Sequence, residues 1–196
     1  MPGRLFLETP IARIADLAGV SQGAVADEPR RRNIKPGEEV VTLTAAGLTR
    51  MRWGLIPVGR VNARGRPVME TIVNARSETL FDKSAYAGVG RAVVPADGWY
   101  EWTGSKGRKT AWRISARDGA PLWFAAVTDR WTAPGGRVID QVATVTCPPN
   151  GDLRDIHDRM GVLLRSADLP VWLSAPQPEA AALLRTWPDG TLVAEP

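Results

Sequence analysis

Cysteine is nearly missing from this 196-residue chain, with Cys147 standing alone. One thiol excludes an internal disulfide framework and any zinc site built on paired cysteines, and no metal or cofactor is expected. Histidine is just as scarce, His157 being the only one. No apolar run approaches the roughly 18 residues that span a bilayer. The start, Met-Pro-Gly-Arg-Leu-Phe-Leu-Glu-Thr-Pro, has neither the basic end nor the apolar stretch of a signal peptide. A cytoplasmic protein without a membrane partner is expected. Repeats, coiled-coil heptads and any dividing linker are also missing, so residues 1–196 read as a single domain.

What is present suits a folded chain. Hydrophobic residues make up 44% and charged residues 23%, which supports a core and argues against disorder. The net charge is +4, from 25 basic and 21 acidic residues, an excess compatible with a polyanionic partner but modest. Most of the cations are arginine, which suits phosphate forks. Arginine alongside much alanine and glycine is equally what a GC-rich genome produces.

Thr9-Pro10 predicts a helix start, with a hydroxyl cap and proline at the first helical position, followed by apolar Ile11, Ile14, Leu17 and Ala18 and a Gly19 stop. From Glu39 to Ile139 short apolar or alternating runs are separated by Gly and Pro, the pattern of strands. Asp118-Gly119 predicts a two-residue hairpin, and Gly104 to Lys109 a longer hairpin tip. Ser166 to Leu169 and Pro178-Glu179 open short helices near the end, the first containing Trp172. The expectation is an α+β fold with a curved or barrel-like antiparallel sheet and peripheral helices.

Three polar residues stand out for chemistry. Glu101 sits between Tyr100 and Trp102, where desolvation raises a carboxyl towards a useful acid–base range; an outward-facing strand Glu is the plain alternative. His157 lies between Asp155 and Asp158, either of which can orient its ring, although a lone histidine is more often structural. Asn74 offers a neutral amide to hold a hydroxyl or an amine, or is simply a strand-end residue.

Six short motifs tie these residues together. They are Met1-Pro2-Gly3-Arg4, the Asn33 to Gly37 turn, Trp53-Gly54-Leu55-Ile56-Pro57, Val73-Asn74-Ala75-Arg76-Ser77-Glu78-Thr79, Pro95-Ala96-Asp97-Gly98-Trp99-Tyr100-Glu101-Trp102, and Ile156-His157-Asp158-Arg159-Met160. In this order they resemble the SRAP family (SOS response-associated peptidase), whose members sense abasic sites in single-stranded DNA. The resemblance implies a compact SRAP-like fold with its N-terminus threaded into the active cleft. It implies single-stranded and abasic-site DNA as partners, a nucleoid-associated location and a monomer. Asn74, Glu101 and His157 become the polar constellation around the N-terminal nucleophile, Glu101 moving protons and His157 assisting sugar-ring opening. Arg4, Arg76 and Arg159 become phosphate contacts, and Asn33 and Trp53 line the strand's path, Trp53 as a stacking face. Arg52 and Arg60 add to a basic rim.

The chain departs from the family where the chemistry starts. The family carries cysteine after the initiator methionine, and here that residue is Pro2. A thiazolidine ring needs amine and thiol on one residue, so it is excluded, and Cys147, not being N-terminal, cannot close it. Proline is small enough for methionine removal and would leave a secondary amine, which attacks an aldehyde to give an iminium ion. Untrapped, that ion favours β-elimination, making the protein an abasic-site lyase or a transient crosslinker. The other readings are a binding module that has lost covalent chemistry and an engineered replacement. Thiol-peptidase activity is not expected. Further departures are Gly161 in place of a proline, expected as a loop change, a C-terminal tail that reads as shortened, and a Cys147 to Asn150 turn in which Asn150 still matches.

Overall fold

The computed structural model describes residues 2–56, 71–83, 86–133 and 135–196. Met1, Pro57 of the Trp53 motif and Arg60 of the expected rim lie outside the described residues. The elements run β1 (Leu5–Leu7), α1 (Ile11–Ala18), β2 (Arg31–Ile34), β3 (Glu39–Thr44), β4 (Gly47–Trp53), β5 (Asn74–Arg76), β6 (Gly90–Ala96), β7 (Gly98–Ser105), β8 (Arg108–Ala116), β9 (Leu122–Thr132) and β10 (Val138–Cys147). They continue with β11 (Met160–Gly161), β12 (Leu163–Leu164), α2 (Leu169–Ser174), α3 (Gln177–Ala181) and β13 (Leu192–Glu195).

The fold is mostly β. Strands β10, β4, β3, β6 and β9 pair in turn, and β9 pairs back with β10, so five strands close into a barrel. Closure leaves those strands no free edge. A second, five-stranded sheet runs β13-β8-β7-β1-β2. The barrel is not purely antiparallel, because β10 runs parallel to both β4 and β5. Leu122 to Val127 of β9 and Gln141 to Cys147 of β10 are buried without interruption. Unbroken burial means both faces of these strands are covered; the β9 stretch is apolar throughout, while β10 buries the polar side chains of Gln141, Thr144 and Thr146. Trp99 of the second sheet meets Phe124 of the barrel edge to face at 5.5 Å, joining the two layers.

The N-terminus is locked at the corner between β6 and β7. Asp97 accepts hydrogen bonds from the N–H groups of Glu8 (2.6 Å) and Thr9 (2.8 Å) and from the Thr9 hydroxyl (2.6 Å). Thr9 therefore does not cap α1 as expected; Pro10 occupies the cap position, and Gly19 ends the helix at φ 67°. Gly98 follows at this corner, where a Cβ would stand 1.9 Å from the Ile114 carbonyl oxygen and 2.6 Å from the Phe6 ring. Only glycine lets β1 close onto β7 there.

Two other local expectations are corrected. Asp118-Gly119 does turn the chain, but β8 pairs with β7 and β13 while β9 pairs with β6, β10 and β12. The turn hands the chain from one sheet to the other instead of closing a hairpin. Gly161 lies in β11 and not in a loop, and a Cβ there would stand 2.4 Å from Phe124. The C-terminal residues Leu192–Glu195 form an edge strand on β8. No helix of the described residues is long and apolar enough to cross a membrane.

Candidate functional site

Strand pairing brings the start of the chain to Glu101. β1 runs antiparallel to β7 with Leu5 opposite Trp99, and the Tyr100 N–H donates to the Arg4 carbonyl at 2.9 Å. Each residue back from Arg4 is one residue forward from Tyr100, so Pro2 and Gly3 arrive at the level of Glu101 and Trp102. Alternation along β7 then sorts the motif: Trp99 and Glu101 are buried, whereas Tyr100 and Trp102 show to the other side. The Glu is the inward residue.

Burial pushes the Glu101 carboxyl above its ordinary range. The nearby His157 pulls the other way without cancelling the shift. A carboxyl in this position can exchange a proton closer to neutral pH.

Asn74 reaches the same place from β5. Its Nδ2 donates to the Pro2 carbonyl at 3.0 Å, and its Oδ1 accepts from the Thr144 hydroxyl on the parallel neighbour β10. Thr144 fixes which way the amide points; sequence reading missed it, because a strand threonine carries no signal for that role.

His157 ends a helical turn whose last N–H, its own, donates to the Leu153 carbonyl at 3.0 Å. The Arg159 N–H donates to Nδ1 at 2.9 Å, and Asp158 Oδ1 stands 2.9 Å from the same nitrogen. The two contacts compete, since the first needs Nδ1 bare and the second needs it protonated. Asp158 is 86% exposed and screened by water, so the backbone contact governs and leaves the neutral ring's proton on Nε2.

The expected DNA contacts divide. Arg76 is exposed. Arg4 donates to Asn33 Oδ1 at 3.1 Å and lies over the Trp102 ring at 5.8 Å, so these three residues form one patch on the outer face of the second sheet. Trp53 offers no stacking face: it is fully buried, as the apolar end of β4 pointing into the core. Trp102, 39% exposed, is the tryptophan that faces solvent beside the site, and its place two residues after Tyr100 in a strand was the available signal. Arg159 does not aim at solvent either. Its guanidinium forks onto both oxygens of Glu78 and donates to the Thr146 carbonyl at 2.6 Å. The fork from Arg159 holds the Glu78 carboxyl down at about 2. Arg52 donates to the Gly54 carbonyl at 2.5 Å, turned back on its own chain. Cys147 is buried, and burial raises its thiol to about 11, which leaves it inert.

Comparison with known proteins follows the same lines. The profile of the SOS response associated peptidase (SRAP) family matches residues 1–196. The abasic site processing protein YoaM of Bacillus subtilis is 31% identical over 183 residues, covering 89% of this chain and 79% of the relative. The abasic site processing protein YoqW of the same organism is 31% identical over 150 residues, covering 72% of this chain but 66% of YoqW's own length. A crystal structure of a Bacteroides thetaiotaomicron protein superposes with a TM-score of 0.80 over 97% of this chain and 90% of its own, at 20% identity, a likeness of fold.

Proposed function

Since the chain belongs to the SRAP family, whose named relatives are abasic site processing proteins, we propose that it processes abasic sites in single-stranded DNA through the amine of Pro2, freed by removal of Met1. The observation that carries this is the convergence on the chain's start. Asn74 grips the Pro2 carbonyl, and Glu101, lifted by burial, lies within electrostatic reach of His157.

The chemistry runs in balanced steps. His157, with its proton on Nε2, assists opening of the deoxyribose hemiacetal to its aldehyde. The Pro2 nitrogen forms a bond to that carbon, and Glu101 carries the amine's proton towards the carbonyl oxygen. Water leaves and an iminium ion remains. No thiol stands on Pro2 to close a ring, so the iminium acidifies the neighbouring sugar carbon. Loss of that proton to a base breaks the bond to the 3′ phosphate oxygen, and water then hydrolyses the iminium and returns the amine. Arg4, Asn33 and Arg76 hold the strand by its phosphates, and Trp102 offers a base its exposed face. That patch needs no covalent step, and it supports the second reading, a binding module alone.

Borohydride separates the two. Protein shown by intact mass to lack Met1, incubated with abasic single-stranded DNA and borohydride, is expected to give a reduced adduct at Pro2. Without borohydride no heat-stable adduct accumulates and cleaved strand appears. Salt-sensitive binding with no trapped adduct leaves the binding module. Binding that ignores salt removes the nucleic-acid reading.

A further inference from the structure

We infer that the segment Arg185 to Leu192 is a strap that sets the distance between His157 and Glu101, with Asp152 as the positioning residue through which it acts. The inference rests on the reading of His157 as part of the abasic-site machinery.

The turn that ends in His157 is built upward from Asn150. The N–H groups of Leu153 and Arg154 donate to the Asn150 carbonyl, and those of Ile156 and His157 to the Leu153 carbonyl. Leu153 is buried and gives the turn one apolar anchor. The Asn150 N–H also meets Met160 Sδ at 3.3 Å and Ile156 packs against the core, and the strap supplies further hydrogen bonds to the base. Asp152 Oδ1 accepts from the Gly190 N–H at 2.9 Å, and Oδ2 from the Leu192 N–H at 3.0 Å. Asn150 Nδ2 donates to the Pro188 carbonyl and to Asp152 Oδ2, each at 3.1 Å. The Gly151 N–H donates to Asp189 Oδ1 at 2.6 Å. Burial opposes ionisation of Asp152, yet the N–H groups of Leu192 and Gly190 hold its carboxyl below the ordinary range.

The far end of the strap explains why this is positioning and not only support. Leu192 begins β13, which pairs with β8, and β8 places Trp112 opposite Glu101 of β7. Leu192 therefore belongs to the sheet that carries Glu101, while its N–H is bonded to the turn that carries His157. Asp152 is the joint between them.

Asp152→Asn tests this, because it keeps the shape while turning an NH2 group towards donors. Asp189→Ala loosens the same strap at a second point. His157 is the only histidine, so its ring nitrogens give an isolated pair of NMR signals. In the parent these should report a bare Nδ1 and a protonated Nε2. In either folded variant they should move towards the average of the two tautomers, and borohydride trapping should slow by roughly tenfold to a hundredfold, the usual result of misplacing a reacting group by about 1 Å. DNA affinity should not change. Asp140→Asn, which removes a carboxylate paired with Arg130 elsewhere, should leave the signals alone. Parent-like ring signals in both strap variants, or an equal shift in Asp140→Asn, overturn the inference. The ring signals decide even if the parent forms no adduct, so failure of the chemistry and failure of the strap are distinguishable. Should Asp152→Asn not fold, Asp189→Ala decides.

Discussion

The wall built from β7 keeps Glu101 away from water, and burial lifts its carboxyl above the ordinary range. The wall built from β5 and the turn before β11 sets Glu78 against Arg159, whose fork drops that carboxyl to about 2. Two glutamates of the same motif set thus behave as opposites. Glu78 stays ionised down to about pH 2 and serves as a strut that ties the end of β5 to Arg159, and so to the N–H that orients His157. Glu101, raised by burial, keeps its proton to higher pH than an exposed carboxyl does. A charge that is well satisfied is of little use for proton transfer, and one that is poorly solvated is of little use as a strut.

The largest effect that breaks this contrast is expected from Glu101→Gln. The amide keeps the shape and cannot carry a proton, so borohydride trapping should slow by roughly 10²–10⁴-fold, with DNA affinity unchanged in the same preparation. The pH dependence has a definite sign. A carboxyl whose folded pKa is raised contributes stability that is present below its unfolded value and lost as pH rises through the folded one. The parent should therefore lose stability on that rise relative to Glu101→Gln, and thermal melts at several pH values read the difference.

Trp102→Ala should act on binding and not on chemistry. Loss of a stacking face costs about 1–3 kcal/mol per base, so affinity for single-stranded DNA should fall by roughly five- to 150-fold, while the trapping rate at saturating DNA is kept. Trp53→Phe should leave affinity as it was, because the Trp53 ring is buried.

Glu78→Gln sharpens the other side. Breaking the fork should destabilise the fold by about 1–2 kcal/mol, a figure reduced because the Glu78 side chain is 45% exposed and screened. The depressed pKa adds stability that is present above the ordinary carboxylate value of 4.5 and lost as pH falls towards about 2. The variant should lack that acid loss in denaturant titrations. The smallest effect belongs to Cys147→Ser, which should leave trapping intact; a folded variant without activity would place the nucleophile elsewhere.

Much of the site was legible because its motifs are continuous in sequence and their residue types are chemically specific. Asn74, Glu101 and His157 each stand within such a run. Their meeting was expected only through the family resemblance and is not given by the residue patterns themselves, since it depends on β1 entering beside β7 and on β5 lying parallel to β10, pairings between residues far apart along the chain. Asp118-Gly119 shows the same limit at the level of fold. The dipeptide specifies a turn through its local backbone preferences, but which strands it connects is settled by what those strands bury.

By itself the sequence determined the family, the strand-rich pattern, the proline at position 2 and the helix stop at Gly19. All of these follow from residue identity or from interactions within a few residues. Tertiary structure alone decided that Trp53 is core and Trp102 exposed, that Arg159 forks onto Glu78 instead of pointing outward, and that Glu101 faces inward. Desolvation and ion pairing are properties of a group's whole surroundings, and those surroundings are assembled from strands that only the closed barrel and its companion sheet bring together.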